Sequence, residues 1–591
     1  MCGICGEYRL DGELANLEKV SVMNEVMVPR GPDSHGVWAQ KNLAMGHRRL
    51  KIIDLSEKAQ QPMIDNQLGL GIVYNGAIYN YQELRHELQQ KGYLFFSEGD
   101  TEVILKAYHA WGMEGIKRLS GMFAFGIWER DTGKMILTRD RLGIKPLYYT
   151  KTLNYLRFAS SLPALLATGE VDTELDPVAL HHYMTFHSVV PAPFTLLKGV
   201  RKLPPASIME ISSDGKETLQ HYWQLPFGPQ TPEDETRGFE EWKDIVLTSL
   251  RTAVNRRLVA DVPVGVLLSG GLDSSLIVGL LAEAGQKGLN TFSIGFESVG
   301  GEEGNEFKYS NVIVNEFNTE HHKIAVDSQR MLPSLKRCIA SMSEPMVSHD
   351  NIGFYLLSEE VSKHVRVVQS GQGADEVFGG YHWYPPMMQS QDPVADYAQA
   401  FFDRDHDEYV CMIGRPWRKE NFSLQYVHDA FAQPGAIAAI DQALRLDITT
   451  MLVDDPVKRV DNMTMAWGLE ARVPFLDHDL VELAARIPGQ FKIPNGGKYV
   501  LKETARSVIP AAVIDRPKGY FPVPALKYLR GDFLEMVNTV LNDDSARERQ
   551  LVEPDYLDKL LSDPERHITP LRGSKLWQIA LLESWLQTHN I

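Results

Sequence analysis

VLLSGGLDSSLIVGLL, residues 266–281, decides how the larger part of this chain folds. An apolar run ends in Ser269-Gly270-Gly271, passes through Asp273-Ser274-Ser275 and becomes helical in pattern. A strand that stops at glycines and restarts as a helix gathers backbone N–H groups and a helix N-terminus at one point, a cradle for an anion. The spacing is neither that of a Walker loop nor G-x-G-x-x-G, and no lysine follows the glycines to reach a β/γ-phosphate. Asp273 suits Mg²⁺ on a pyrophosphate better. The competing reading is a plain strand–turn–helix joint with Asp273 or Ser274 as N-cap. Glycine, hydroxyl and acid crowded at one strand mouth favour the phosphate site.

A second mouth lies downstream. VRVVQSGQGADEVFGGY, residues 365–381, again runs from an apolar strand into a glycine-rich turn and then acids. Ligands of open α/β sheets sit beyond the carboxyl ends of strands, so Asp273 and Asp375 are expected to share one metal–pyrophosphate. Apolar runs such as VPVGVLLSGG, TFSIGF and VRVVQSGQG alternate with helical periods, the pattern of a parallel sheet covered by helices. Upstream, QLPFGPQTPEDETRG (224–238) reads as a linker. Residues 1–205 read as short strands and turns with a few helices. LGLGIVYNGAIYNY (68–81) and GMFAFGIWERDTGKMILTRDRLG (121–143) are strands broken by Asn-Gly and Asp-x-Gly turns. The expected division is therefore 1–205, a connecting segment 206–238, and 239–591.

The first unit opens with MCGICGE. Removal of Met1 would leave Cys2 with a free α-amine, whose reference pKa is about 7.7–8.0. One residue would then carry nucleophile and base together. Cys2-x-x-Cys5 could instead suggest zinc or a redox pair, but no second cysteine pair follows. Four cysteines in 591 residues do not make a disulfide scaffold. A net charge of −17 argues against non-specific nucleic-acid or anionic-membrane binding. No apolar stretch is long enough to span a bilayer and no basic-then-apolar segment opens the chain, so a cytoplasmic location is expected.

Cys2-Gly3-Ile4, Arg30-Gly31-Pro32-Asp33, His47-Arg48-Arg49-Leu50, Asn75-Gly76 and Gly99-Asp100-Thr101-Glu102 together resemble the N-terminal-nucleophile glutaminase domain of class II glutamine amidotransferases. SGGLDSS resembles the pyrophosphatase loop of ATP-pyrophosphatases. Both in this order, with LEARVPFLD (469–477), GGKYVLKETA (496–505) and RPKGYF (516–521), resemble the glutamine-dependent asparagine synthetases. The resemblance implies an α/β protein: an αββα Ntn-hydrolase sandwich, then a doubly wound parallel sheet with a helical C-terminal part. It implies Cys2 as nucleophile, Asn75 and Gly76 as oxyanion hole, and a glutamine site of Arg49, Leu50, Ile52, Ile53, Asn75, Gly76, Ala77 and Asp100. It implies an ATP site of Leu267, Ser269, Gly270, Gly271, Asp273, Ser274, Ile294, Ser370, Gly371, Lys498 and Lys518, with Lys518 also catalytic and Asp273 and Asp375 on Mg²⁺. Ammonia would pass between the sites inside the protein. The implied partners are glutamine, ATP and a carboxylate acceptor, with no nucleic acid or membrane and a homodimer as the candidate assembly.

One departure bears on the acceptor. The family carries Ser-Gly-Glu-Gly at the second strand mouth, with the glutamate assisting ammonia's attack. Here the residues are Ser370-Gly371-Gln372-Gly373, and a glutamine is no general base. SGQGADEVFGGY, FHSVVPAP (186–193) and the length are more similar to a subgroup that amidates N-acetylglutaminylglutamine, an osmoprotectant dipeptide. Gln372 is thus the acceptor-site candidate, with aspartate as the alternative acceptor. A silent glutamine or nucleotide sensor on the same fold is opposed by the intact Cys2, Asp273, Asp375 and Lys518. Sugar-phosphate and phosphoribosyl amidotransferases would share only the first unit.

Overall fold

The computed structural model describes residues 2–296, 307–517, 526 and 529–591. The first unit is two facing six-stranded antiparallel sheets. One sheet holds, in spatial order, Arg201–Lys202, Tyr148–Lys151, Tyr155–Ala159, Gly3–Arg9, Leu43–Arg49 and Ser34–Gln40; the other holds Glu217–His221, Ser207–Ile211, Met135–Arg139, Gly121–Glu129, Leu70–Ile78 and Met63–Asp65. The strand period of two sorts each side chain to a face. Along Leu70–Ile78, residues Ile72, Tyr74 and Ile78 face outward onto the helices Tyr81–Gln90 and Asp100–Trp111. Val73 points inward, where it joins Ala124, Ile4 and Phe158 between the sheets. The outer face of the other sheet packs Cys5 and Ala44 against Val20 and Met23 of the helix Leu17–Val26. Helix, sheet, sheet, helix is the expected αββα layering.

The second unit is built on a five-stranded parallel sheet in the order Glu320–Val326, Asn290–Phe296, Val264–Leu267, Val367–Gln369, Glu470–Arg472. Val266, Leu268, Val367 and Val368 are buried, as strands covered on both faces require. Strand order reverses between Val264–Leu267 and Val367–Gln369, which places both glycine-rich mouths at the topological switch point.

Two readings shift. The segment expected to connect the units from residue 206 contributes the strands Ser207–Ile211 and Glu217–His221 to the second antiparallel sheet. The Pro- and acid-rich stretch 224–238 is also not a loose tether. Asp234 is buried, accepts from the backbone N–H groups of Gln230 and Thr231, and pairs with Arg486 at 2.7 Å. Composition does not distinguish a solvated acid from one that finds an arginine far along the chain.

The units meet through buried ions. Asp461, on the helix Lys458–Met465, takes Arg30 at 2.9 Å and Lys145 at 3.4 Å. Lys202 reaches Asp454 at 2.5 Å and Glu344 at 3.2 Å. FHSVVPAP lies at this same junction: the Val347 N–H donates to Ser188 Oγ, and Lys202 Nζ donates to the Val190 carbonyl.

Candidate functional site

The Gly3–Arg9 strand, interior to its sheet, presents Cys2 at its N-terminal end, and the inward-facing register of Leu70–Ile78 delivers Asn75 from the other sheet. They meet where the Cys2 N–H donates to Asn75 Oδ1 at 3.0 Å. The same nitrogen would become the α-amine on removal of Met1, which itself lies outside the described residues. Asn75 Nδ2 is buried with no hydrogen-bond partner among the described residues. A buried donor left unmade costs about 1–3 kcal/mol, so its place beside a thiol asks for a ligand oxygen. Gly76 has no room for a side chain: a Cβ there would stand 2.1 Å from the Met122 carbonyl. Arg30 Nε donates to the Cys2 carbonyl at 3.3 Å.

A narrow cleft of about 30 Å³ opens on Cys2, walled by Arg49, Leu50, Ile52, Ile53, Gly76, Ala77 and Asp100. Arg49 is held by the carbonyls of Asp54 and Ser56. Asp100 Oδ2 accepts from Tyr74 Oη at 2.8 Å and the Ile78 N–H at 3.0 Å. Burial pushes the Cys2 thiol up; the N-terminal charge, the Leu50 backbone and Arg49 pull it down without overcoming that, and Glu470 adds to the rise. The thiol is therefore protonated at rest and needs a base when it reacts. Burial drives His47 the other way, to about 3, so it stays neutral against the Tyr74 carbonyl.

The second site is a cavity of about 330 Å³ at the switch point of the parallel sheet. Leu267, Ser269, Gly271, Asp273 and Ser274 line it from one mouth, Ser370, Gly371, Gln372 and Asp375 from the other, with Ile294 and Lys498. Ser269 and Ser274 hold the first loop, their hydroxyl oxygens 3.1 Å apart. Gly270, at φ +77°, lies behind the loop, where a Cβ would be 2.6 Å from the Ser310 nitrogen. At Gly371 a Cβ would meet Asp273 at 2.9 Å, so the two mouths touch. Leu267, Phe292, Ile294, Phe354 and Leu357 make an apolar wall fit for a planar base. The Gln372 carboxamide is half-buried in the cavity and forms no side-chain hydrogen bond among the described residues. FHSVVPAP does not line it. Lys518 lies outside the described residues.

Lys498 stands between the two acids, 2.7 Å from Asp273 and 3.0 Å from Asp375. Burial works against its charge, but the acids hold its pKa well above the usual lysine value. One cation thus spans both carboxylates already. Mg²⁺, which takes one or two carboxylates and completes its shell with phosphate oxygens and water, fits the same pair. No group of three or more metal-ligating side chains occurs among the described residues.

Sequence reasoning missed several lining residues. Asp350, Glu376, Lys502 and Arg516 also face the cavity at the switch point. More consequentially, Glu470 and Arg472 of the second unit line the Cys2 cleft. Their i, i+2 spacing in LEARVPFLD is the period that puts two side chains on one face of a strand, but nothing local says that the face points into another domain.

With this geometry in place, the comparisons are specific. Residues 246–587 match the family described as asparagine synthase, and residues 1–223 match the glutamine amidotransferase domain. The chain is 33% identical to asparagine synthetase [glutamine-hydrolyzing] 1 of Bacillus subtilis, over 99% of this chain and 96% of that protein. Asparagine synthetase [glutamine-hydrolyzing] 3 of the same organism is 30% identical over 100% and 99%. Asparagine synthetase B [glutamine-hydrolyzing] of Escherichia coli is 28% identical over 88% and 82%. No helix among the described residues is long and apolar enough to cross a membrane. The chain belongs to the glutamine-hydrolysing asparagine synthetase family and is an ATP-dependent glutamine amidotransferase ligase.

Proposed function

We propose that Cys2 hydrolyses glutamine and that the ammonia amidates a carboxylate activated as its adenylate, with N-acetylglutaminylglutamine as the acceptor. In the first half-reaction Cys2 Sγ attacks the side-chain amide while its proton passes to the Cys2 α-nitrogen. Asn75 Nδ2 and the Gly76 N–H take the oxyanion, and Arg49 and Asp100 hold the two ends of the amino acid. Ammonia leaves, and water hydrolyses the thioester. In the second, an acceptor carboxylate oxygen attacks the α-phosphorus of ATP and pyrophosphate leaves. Ammonia then attacks the acyl carbon and AMP departs. Ser269, Gly270, Gly271, Ser274, Ser370 and Gly371 cradle phosphates and ribose; Leu267 and Ile294 flank the base; Lys498 and Lys518 offset phosphate charge. Mg²⁺ on Asp273 and Asp375 would supply further charge neutralisation.

The observation that carries the acceptor is Gln372. Its neutral carboxamide stands in the nucleotide cavity beside Ser370 and Gly371, where it can both donate to and accept from amides. N-acetylation removes the acceptor's ammonium, which suits a neutral partner. Aspartate is the second reading, favoured by the names of the relatives and by Asp350 and Glu376 in the same cavity, which suit a free ammonium. Measuring kcat/KM for both acceptors with ATP and glutamine tests this. The expected products are AMP and pyrophosphate, with the dipeptide preferred. Efficient asparagine formation with no turnover of the dipeptide would assign aspartate, and release of ADP with phosphate would overturn the adenylate.

A further inference from the structure

We propose that Asp261, carried by the synthetase unit, is a positioning residue for glutamine: it fixes the loop whose carbonyls aim Arg49 into the Cys2 cleft. This rests on the glutaminase reading of that cleft. Arg49 is buried, and its guanidinium donates to two backbone carbonyls, that of Asp54 and, at 2.8 Å, that of Ser56. The aim of the guanidinium is therefore set by the conformation of residues 54–56. Asp54 has a φ of +51°, a left-handed conformation that a residue other than glycine keeps only when its surroundings impose it. Its own carboxylate is bonded within the glutaminase unit: Oδ1 accepts from the Ser56 N–H at 3.0 Å and the Ser56 hydroxyl at 2.6 Å, and Oδ2 accepts from the Glu98 N–H at 2.8 Å. Its backbone is held from outside that unit, because the Asp54 N–H donates to Asp261 Oδ2 at 2.7 Å.

The Asp261 N–H returns a bond to the Ile52 carbonyl at 2.8 Å. One residue of the synthetase unit thus brackets Ile53, which itself walls the cleft. Beside this pair, Leu50 and Ile52 pack with Val367 of the parallel sheet and with Ala260, Val262 and Val264. The apolar contacts seat the loop, but they are non-directional and do not select a φ at Asp54. A hydrogen bond to its N–H is directional and does. Asp261 also stands just ahead of the strand Val264–Leu267, with Pro263 between them restricting the backbone. That strand ends at the loop 269–274 of the switch-point cavity. The residue that shapes the Arg49 clamp is therefore at one end of the strand, and the glycine-rich mouth is at the other.

The test is steady-state glutamine hydrolysis by the full-length protein and its D261A, D261S and D261N variants. Ammonia-dependent AMP release, with aspartate and N-acetylglutaminylglutamine both supplied as acceptors, reports the synthetase unit of each. Asp261→Ala removes the carboxylate but keeps the backbone bond to Ile52 and the apolar seat, so the loop stays docked while Arg49 loses its aim. The expected result is a rise in KM for glutamine of about 10-fold, the lower end for a hydrogen bond to a charged acceptor, since Asp261 is exposed. The kcat should not change, the mark of an interaction made alike in ground and transition states. Release of AMP from ammonia should also stay as it is. Asp261→Asn keeps an acceptor for the Asp54 N–H and should restore KM. Asp261→Ser, whose hydroxyl is too short to replace the carboxylate, decides the matter if the alanine variant fails to fold. An unchanged KM in a folded variant without the acceptor, or equal losses of the glutamine and ammonia activities, would overturn the assignment. So would an asparagine variant as impaired as the alanine one. An unmodified protein that hydrolyses no glutamine would overturn the glutaminase reading itself, and this assignment with it.

Discussion

At Cys2, burial pushes the thiol up while the N-terminal charge and Arg49 pull it down, and burial prevails. Its nucleophilicity therefore depends on the nitrogen attached to the same α-carbon. Cys2→Ala should abolish synthesis from glutamine and leave synthesis from added ammonia, because no group of the nucleotide cavity involves Cys2. An assay with each nitrogen donor near pH 8 checks this, and loss of both activities in a folded protein would count against separable sites. Asn75→Ala should lower kcat for glutamine hydrolysis about 10²–10³-fold, the usual effect of deleting one oxyanion donor. Steady-state kinetics with glutamine reads it. Cys2 was singled out in the sequence by its place behind Met1, and Asn75 only by the resemblance, since an Asn-Gly pair alone is an ordinary turn. The orphaned Nδ2 was not, since only a folded chain has buried donors.

The elements carry the second kind of argument. The loop 269–274 works because Gly270 occupies a φ of +77° with Ser310 pressed behind it. Gly270→Ala would strain the backbone and push into that neighbour, so the loop must shift. Its expected signature is a large rise in KM for ATP with glutaminase activity retained, measured on one preparation. LEARVPFLD ends in Asp477, which is buried, caps the helix His478–Arg486 and pairs with Arg257 at 2.7 Å and Arg256 at 3.0 Å. Burial works against its charge, but Arg257 and Arg256 hold it at about 2, below the ordinary 3.8. A depressed carboxyl adds stability above the unfolded pKa and loses it as pH falls through the folded one. Asp477→Ala leaves two arginines without their acid and should destabilise by about 3–5 kcal/mol at pH 7. The gap from the unmodified protein should narrow between about pH 4 and pH 2. Thermal melts across that range decide it, and a gap independent of pH would refute the ionic account.

Across the whole molecule, the two sites belong to one body because charges from both units are buried between them. Asp461 neutralises Arg30, which touches the Cys2 carbonyl, and Lys145. Asp461→Asn should lower the melting temperature by several degrees and raise the glutamine hydrolysed per AMP released above one. A stoichiometry of one at a lowered melting temperature would leave Asp461 as a purely structural residue. The loop that walls the Cys2 cleft is tied across the same boundary: the Asp261 N–H donates to the Ile52 carbonyl, and Asp261 accepts from the Asp54 N–H at 2.7 Å. None of these pairs has a sequence signature, because partners 207 or 431 residues apart have no period to betray them. What the sequence determined by itself was local and periodic. Short strands broken by Asn-Gly and Asp-x-Gly turns marked the first unit, and apolar runs ending in glycine marked the two strand mouths of the second. The tertiary structure alone decided that strands 207–211 and 217–221 complete the first unit, that Asp234 is an anchor rather than a solvated acid, and that Glu470 and Arg472 face a site in the other domain. Local pattern reports which face of an element is buried; only the packed chain reports what that face is buried against.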